Sequence, residues 1–328
     1  MLKQIIFGIF LCTTAVECYR VVQVTSPTIG ASSSTFWDCR TKSLYYSDYF
    51  GSLLYRYDYV ANIHYTATIV GNTLGISGLI PLNCAVNQYL VTIEDCVAVV
   101  YWDGFSSTAI KLREVVCVGQ GIADQVITYS KADPTRRLFT GTAGINYCNV
   151  AFPAESSLFR FDRIQGLVKN FNGMRTSGAM DWNIATGQFY HKDICDLTLM
   201  EYQWSPINGA LSNGRPVFQF TDTNTYADAM TIDKFGMLYV TLYNGSSVVK
   251  INPRTSTILE TYVLPARFPS SITFCGPLLD NLCVSTGNFP VDATSGLPAS
   301  DPVTANDGKL YMIKDISTRG TCDRRLCL

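Results

Sequence analysis

Twelve cysteines, two histidines and a series of evenly recurring aspartates carry most of the chemistry open to this sequence. Metal–thiolate sites need closely spaced cysteines or Cys/His pairs. Here no CxxC pair occurs, and His64 and His191 lie far apart in the chain. HExxH is absent, which removes the helix-borne zinc hydrolases. GxSxG is also absent, and two histidines give little material for a Ser-His-Asp triad. His191 follows the apolar pair Phe189-Tyr190 and reads as an ordinary strand histidine. Disulfide chemistry by cysteine and oxygen chemistry by aspartate and asparagine remain.

The cysteines divide by position. Met1-Leu2-Lys3-Gln4 carries one positive charge, and Ile5 to Thr14 runs almost wholly apolar. That run is too short for a membrane helix, which needs about twenty residues. A basic start, a short apolar stretch and small residues after it describe a signal peptide over 1–18, cleaved after Ala15 or Cys18. Cys12 then belongs to the leader, as does Cys18 when cleavage follows it; cleavage after Ala15 keeps Cys18 and leaves one thiol over. With Cys18 removed, the count is even. Ten cysteines remain: Cys39, Cys84, Cys96, Cys117, Cys148, Cys195, Cys275, Cys283, Cys322 and Cys327. An even number in a secreted chain implies disulfides. Cys84 with Cys96, Cys275 with Cys283, and Cys322 with Cys327 are near enough in sequence to bridge locally. The expected location is extracellular. Asn244-Gly245-Ser246 is a glycosylation sequon, although Tyr243-Asn244-Gly245 also reads as a hairpin turn, and an exposed turn accommodates both.

A net charge of −1 and 16% charged residues argue against nucleic acid, which requires basic patches. Every later apolar run is interrupted by Asn, Asp, Gly or Lys, so no membrane partner is expected, and a monomer is. No Pro/Ser linker divides the middle of the chain, which leaves residues 19–328 as one domain.

The elements that must position any site come from internal repeats. Phe36 to Asp48, Met180 to Asp193 and Thr231 to Val240 each show an apolar strand end, a polar turn and an apolar-aromatic strand. A second turn and strand follow each, as in Leu54-Tyr55-Arg56-Tyr57-Asp58 and Val248-Val249-Lys250-Ile251-Asn252. Lys131 to Gly141 repeats the unit, and weaker copies start at Cys84 and Leu279. The turns fall near 38, 86, 133, 181, 233 and 280, a period of about 48. Short strands at that period mean propeller blades, so the expected fold is an all-β, six-bladed propeller with four-stranded antiparallel blades. Asp48, Asp133, Asp181, Asp193 and Asp233 recur with the repeat and read as turn and strand-end residues.

The run Tyr226-Ala227-Asp228-Ala229-Met230-Thr231-Ile232-Asp233, followed by Gly236-Met237-Leu238-Tyr239-Val240, Tyr243-Asn244-Gly245 and Val248 to Pro253, resembles the regucalcin, gluconolactonase and luciferin-regenerating family. Ser270 to Pro277 and Leu282 to Ser285 resemble its next blade, whereas the tail from Cys322 has no recognised counterpart. The resemblance implies a divalent cation on the propeller axis, held by Glu, Asn and Asp, that activates water against a sugar lactone, with a further Arg and Asn binding the substrate. Carried over position by position, the Glu becomes Ser33, the axial Asn becomes Gly178, and the substrate Arg and Asn become Val126 and Thr128. Only the Asp survives, as Asp228, and Tyr129 follows Thr128 into the expected pocket.

One carboxylate in place of three ligands does not hold a dication tightly. The reading placed first is therefore a secreted, non-catalytic protein that binds a small molecule in a degenerate site, with no cofactor. The alternative is a lactone or ester hydrolase that retains calcium or zinc through Asp228 and ligands placed elsewhere. A structural or interaction role in a secretion is the third.

Overall fold

The computed structural model describes residues 19–327, apart from 25, 120–124, 145–147, 150, 152 and 290–301. The expected leader, with Cys12 and Cys18, lies outside the described residues. Twenty-four strands follow one another in the described chain. After β1 (Arg20–Val24), the first repeat comprises β2 (Phe36–Asp38), β3 (Ser43–Asp48), β4 (Leu53–Asp58) and β5 (Ile63–Ile69). The second is β6 (Ile76–Pro81), β7 (Gln88–Ile93), β8 (Cys96–Tyr101) and β9 (Thr108–Cys117). Then come β10 (Gln125–Ala132), β11 (Leu138–Gly144), β12 (Ser156–Asp162) and β13 (Gly166–Met174). The fourth holds β14 (Ser177–Asn183), β15 (Gln188–Asp193), β16 (Thr198–Trp204) and β17 (Leu211–Gln219). The fifth holds β18 (Tyr226–Ile232), β19 (Leu238–Tyr243), β20 (Ser247–Asn252) and β21 (Thr257–Val263). Last are β22 (Pro269–Cys275), β23 (Asn281–Thr286) and β24 (Leu310–Lys314).

These strands make an all-β propeller of antiparallel four-stranded blades. The sheets number four with four strands and one with eight, rather than six separate ones. The larger sheet arises where the outer strands β5 and β9 meet in parallel over Thr68↔Thr108 and Ile69↔Ala109, fusing β2–β5 to β6–β9. The last blade is closed by the other end of the chain, because β1 pairs with β24 from Arg20↔Lys314 to Val24↔Leu310.

Burial follows position within a blade. All residues of β3, β6, β22 and β23 are buried, whereas β9 and β21 are mostly exposed. Inner strands lie between neighbouring blades and cover both faces, so their sequences read as continuous apolar and small residues rather than as an alternation. The turns behave as the recurring aspartates predict. Asp233 Oδ1 accepts from Phe235 N and Met237 N, both at 2.9 Å, around Gly236, whose φ of +85° suits glycine. Asp133 does the same for Thr135 and Arg137.

Four disulfides form: Cys39–Cys322, Cys96–Cys117, Cys148–Cys195 and Cys275–Cys283. Only the last was expected as a local pair. Cys96 faces Cys117 directly across the β8–β9 register, and so bonds there instead of to Cys84. Cys322 is carried past its sequence neighbour Cys327 to Cys39, in the β2–β3 turn. Cys84 and Cys327 remain as exposed thiols. Four bridges point to an oxidising, extracellular environment.

Candidate functional site

The first strands of the repeats, β2, β6, β10, β14, β18 and β22, pack on one another in sequence, with β22 returning to β2. Five of them break register with their partner strand at the same level: between Ile76 and Gly78, Ile127 and Tyr129, Ser177 and Met180, Ala227 and Met230, and Pro269 and Ser271. Such bulges re-aim side chains and free them from the ladder. The freed positions are Ser77, Thr128, Gly178, Asp228 and Ser270, with Ser33 in the loop before the short β2. Of the residues that the resemblance offers, Thr128, Gly178 and Asp228 occupy these bulges, and Ser33 stands in the loop before β2. The resemblance missed Ser77 and Ser270, which the spacing of about 50 residues could have supplied. Val126 lies two residues before the bulge of β10, paired with Ala143.

The loop carrying Ser33 is fixed from three sides. Asp48, at the end of β3, accepts from Gly30 N at 2.9 Å and Ala31 N at 3.1 Å. Ser34 Oγ accepts from Ser130 N at 3.1 Å, and Thr35 N donates to Ser271 Oγ at 2.8 Å. The same device recurs where Asp193 receives the amides of Arg175 and Thr176, and where Glu94 receives Gly75 N. An acid at the end of the second strand thus anchors the entry to the first strand of its own blade.

Most hydroxyls of the ring are already engaged. Ser77 Oγ lies 2.9 Å from Thr92 Oγ1, and Thr128 Oγ1 donates to Ser177 O at 2.7 Å. At Gly178 a side chain has no room, since a Cβ there would strike Ile194 and lie 3.3 Å from Asp228 O. Any residue with a Cβ at position 178 therefore has to displace Ile194.

Asp228 is the exception in the ring. The residue is half-buried, and burial alone pushes the pKa of its carboxyl up to about 8. The carboxyl's own surroundings, not the residue's average exposure, decide its charge. Among the described residues no hydrogen bond or ion pair reaches it. Among the described residues it belongs to no group of three His, Cys, Asp or Glu side chains whose ligand atoms converge. At neutral pH this group is largely a neutral acid. The divalent cation implied by the resemblance needs several ionised or carbonyl oxygens converging at about 2–2.6 Å, and the residues present do not fit it. One cluster of potential ligand atoms does occur, at Asp95, Cys96 and Cys117, but its cysteines are consumed in a disulfide.

His191 sits beside this ring. Its Nε2 lies 2.9 Å from Ser177 Oγ, and burial, with Lys192 adding to it, lowers its pKa to about 3. It is neutral, and Ser177 is fully buried, so the pair orders the β14–β15 contact rather than offering a nucleophile. Asn244 occupies the β19–β20 hairpin turn with φ +67°, and its Nδ2 donates to Asn224 O at 2.8 Å.

Tyr129 of β10 borders a small cavity together with Ser34, Ile80 and Asp323. It is buried in one apolar cluster with Met180, Ala229 and Ile272. On its far side lies a charged cluster that local sequence patterns did not announce. Lys131 Nζ reaches Asp181 Oδ2 at 2.7 Å and Asp323 Oδ1 at 4.0 Å. Asp323 belongs to the C-terminal tail and accepts from Trp37 N at 2.8 Å and Thr273 Oγ1 at 2.7 Å. Burial raises its carboxyl, with Lys131 and these donors pulling the other way. The tail is tied along its length: Lys234 N to Arg319 O, Gly320 N to Leu279 O, Arg325 to Asp38, and Leu326 against Leu82.

A ring of bulged inner strands around one axis, with loops at one end and a strapped turn face at the other, defines a propeller of four-stranded blades. A family model described as SMP-30/Gluconolactonase/LRE-like region matches residues 31–288. The chain belongs to that family. A putative sugar lactone lactonase of Bacillus subtilis (strain 168) is 32% identical over 157 residues, 48% of this chain and 52% of that protein. Regucalcin of Gallus gallus is 23% identical over 287 residues, 86% of this chain and 90% of that protein. The chain spans about half the length of the first curated relatives it matches, 52% and 55%. A luciferin-regenerating enzyme structure superposes with a TM-score of 0.85 at 23% identity, covering 95% of this chain and all of that one. A calcium-binding regucalcin of Agrobacterium tumefaciens gives 0.79 at 14% identity, covering 93% and 97%. Both superpositions concern the fold.

Proposed function

We propose that this chain is a secreted, single-domain propeller that binds a neutral small molecule at its axial mouth without hydrolysing it. Counted by repeat, with the eight-stranded sheet taken as two blades joined at their outer edges, the propeller is six-bladed. The observation that carries the reading is Asp228, a carboxyl that joins no group of three converging His, Cys, Asp or Glu ligands among the described residues and whose pKa burial raises to about 8. A neutral carboxylic acid is an O–H donor and a poor ligand for a dication. Its natural complement is a carbonyl or ether oxygen on an uncharged molecule. The surrounding Ser33, Val126, Thr128 and Gly178 add short or apolar surface in place of charge. That favours a partly apolar guest over a sugar acid.

Calorimetry with calcium and with zinc on the oxidised protein, beside Asp228→Ala, tests this directly. Absence of stoichiometric heat for both ions supports the binding-protein reading. Tight binding of either ion that Asp228→Ala abolishes overturns it and favours a metal-dependent lactonase, whose assay on sugar lactones follows. The lactonase reading draws on the 32% identity to a putative sugar lactone lactonase. A role as a structural component of a secretion draws on the tail that covers the turn face. It predicts no small-molecule ligand in native extracts.

A further inference from the structure

Eight of the ten cysteines outside the expected leader are paired, and the two left over are neighbours in space although 243 positions apart. The backbone brings them together. Leu326 forms a parallel bridge to Leu82, with Asn83 N donating to Leu326 O at 2.7 Å and Leu326 N to Pro81 O at 3.3 Å. Cys84 follows that bridge by two residues and Cys327 by one. Cys327 N is held in turn by Arg136 O at 3.5 Å, from the next repeat. The two thiols lie within hydrogen-bonding reach of each other, and that contact is the largest cause raising the Cys327 thiol.

We propose that Cys84 and Cys327 close a fifth disulfide, which locks the C-terminal tail across the turn face of the propeller. In that step two thiols lose two protons and two electrons, and one S–S bond forms. The electrons pass to a donor disulfide of an oxidised dithiol, which becomes two thiols. The thiolate of one cysteine attacks the donor to give a mixed disulfide, and the second thiolate then displaces the donor's remaining sulfur. Access for the donor exists. Both residues are exposed, and Cys84 lines a groove of about 400 Å³ that also contains Arg40, Arg56 and Arg325. The Cys39–Cys322 bridge, five residues before Cys327, has already confined the tail, so closing the last loop costs little additional chain entropy.

The bridge gives the tail a purpose. Asp323 seals the base of the axis against Lys131, and with bonds at Cys322 and Cys327 the segment bearing it is fixed at both ends. An unbridged end, by contrast, would fray from Leu326, held by the short parallel contact to Leu82 and the long Cys327 N–Arg136 O hydrogen bond.

Peptide mapping without reduction decides the matter. Protein secreted into an oxidising medium, with Cys39–Cys322 mapped as bonded, is alkylated under denaturing conditions and digested. The expected result is no alkylated cysteine and a Cys84 peptide linked to Leu326-Cys327-Leu328. Alkylation of both Cys84 and Cys327 overturns the proposal, as does a bond from either to another cysteine. Limited trypsin digestion adds an independent reading. Cys84→Ser and Cys327→Ser should each speed cleavage after Arg324 and Arg325 several-fold over the parent, and the double variant no further. Equal cleavage rates in parent and single variants count against the lock.

Discussion

The two ends of the propeller axis solve opposite problems with the same kind of residue. At the tail end Asp323 is buried and satisfied: a backbone amide, a hydroxyl and a lysine converge on it, and Asp181 shares the lysine. At the mouth Asp228 is half-buried with no hydrogen-bond partner among the described residues, and burial raises its pKa to about 8. The first arrangement is closed, with every polar atom spent on the fold. The second keeps one donor unspent, which is the condition for recognising something from outside. Position in the blade does not separate them, for both groups stand against the inner strands. The number of partners does.

Breaking the closed end should have the largest effect. Lys131→Met leaves Asp181 and Asp323 facing each other without a cation. Loss of one partner from a buried pair costs about 3–5 kcal/mol, read as a fall in the denaturation midpoint. A loss below about 1 kcal/mol would show that the cluster is not needed to seal the axis. Asp228→Asn tests the open end through pH. The native acid keeps its proton up to about 8, while the unfolded chain loses it near the ordinary aspartate value of about 3.9. Native stability should therefore fall as pH rises from about 4 to 8 and level off above that. Asparagine removes this slope. The gap between variant and parent should open across that window and reach a few kcal/mol, since a tenfold change in proton affinity is worth about 1.4 kcal/mol. Parallel stability profiles for the two proteins from pH 5 to 9 would sink the assignment of Asp228 as a neutral acid.

Gly178→Ala probes the crowding that separates the site from its relatives. The new methyl meets Ile194, and overpacking of this kind costs about 1–3 kcal/mol in thermal stability. If alanine is neutral, Ile194 can move aside and glycine is not required. The smallest effect is expected from Thr128→Val, which strips Ser177 O of its hydroxyl donor and costs about 1 kcal/mol. An unchanged melting temperature would show that the hydroxyl belongs to the mouth instead of the scaffold.

The repeat was legible because each turn advertises itself: Asp133 and Asp233 are in the chain to bind the amides two and four residues on, a local requirement visible in any sequence. Asp228 was legible only through its neighbours Tyr226 to Asp233. Ser77 and Ser270 were not found, since a serine at a bulge looks like any other serine until the register breaks around it. Merging of the first two repeats into one eight-stranded sheet depends on two residue pairs between outer strands, too small a contact to leave a pattern.

Disulfides mark the boundary most clearly. The sequence alone determined that Cys275 and Cys283, eight residues apart, are near enough to bridge locally, as they do, but it offered Cys84 with Cys96 and Cys322 with Cys327 on the same ground, and those pairs do not form. Cys39–Cys322, Cys148–Cys195 and the meeting of Cys84 with Cys327 were decided only by the tertiary structure. Closing the ring of blades and laying the tail across its turns sets those distances, and no local pattern encodes a separation of 283 residues. The protonation of Asp228 belongs to the same side of that division, for a carboxyl's charge is fixed by what surrounds it in space.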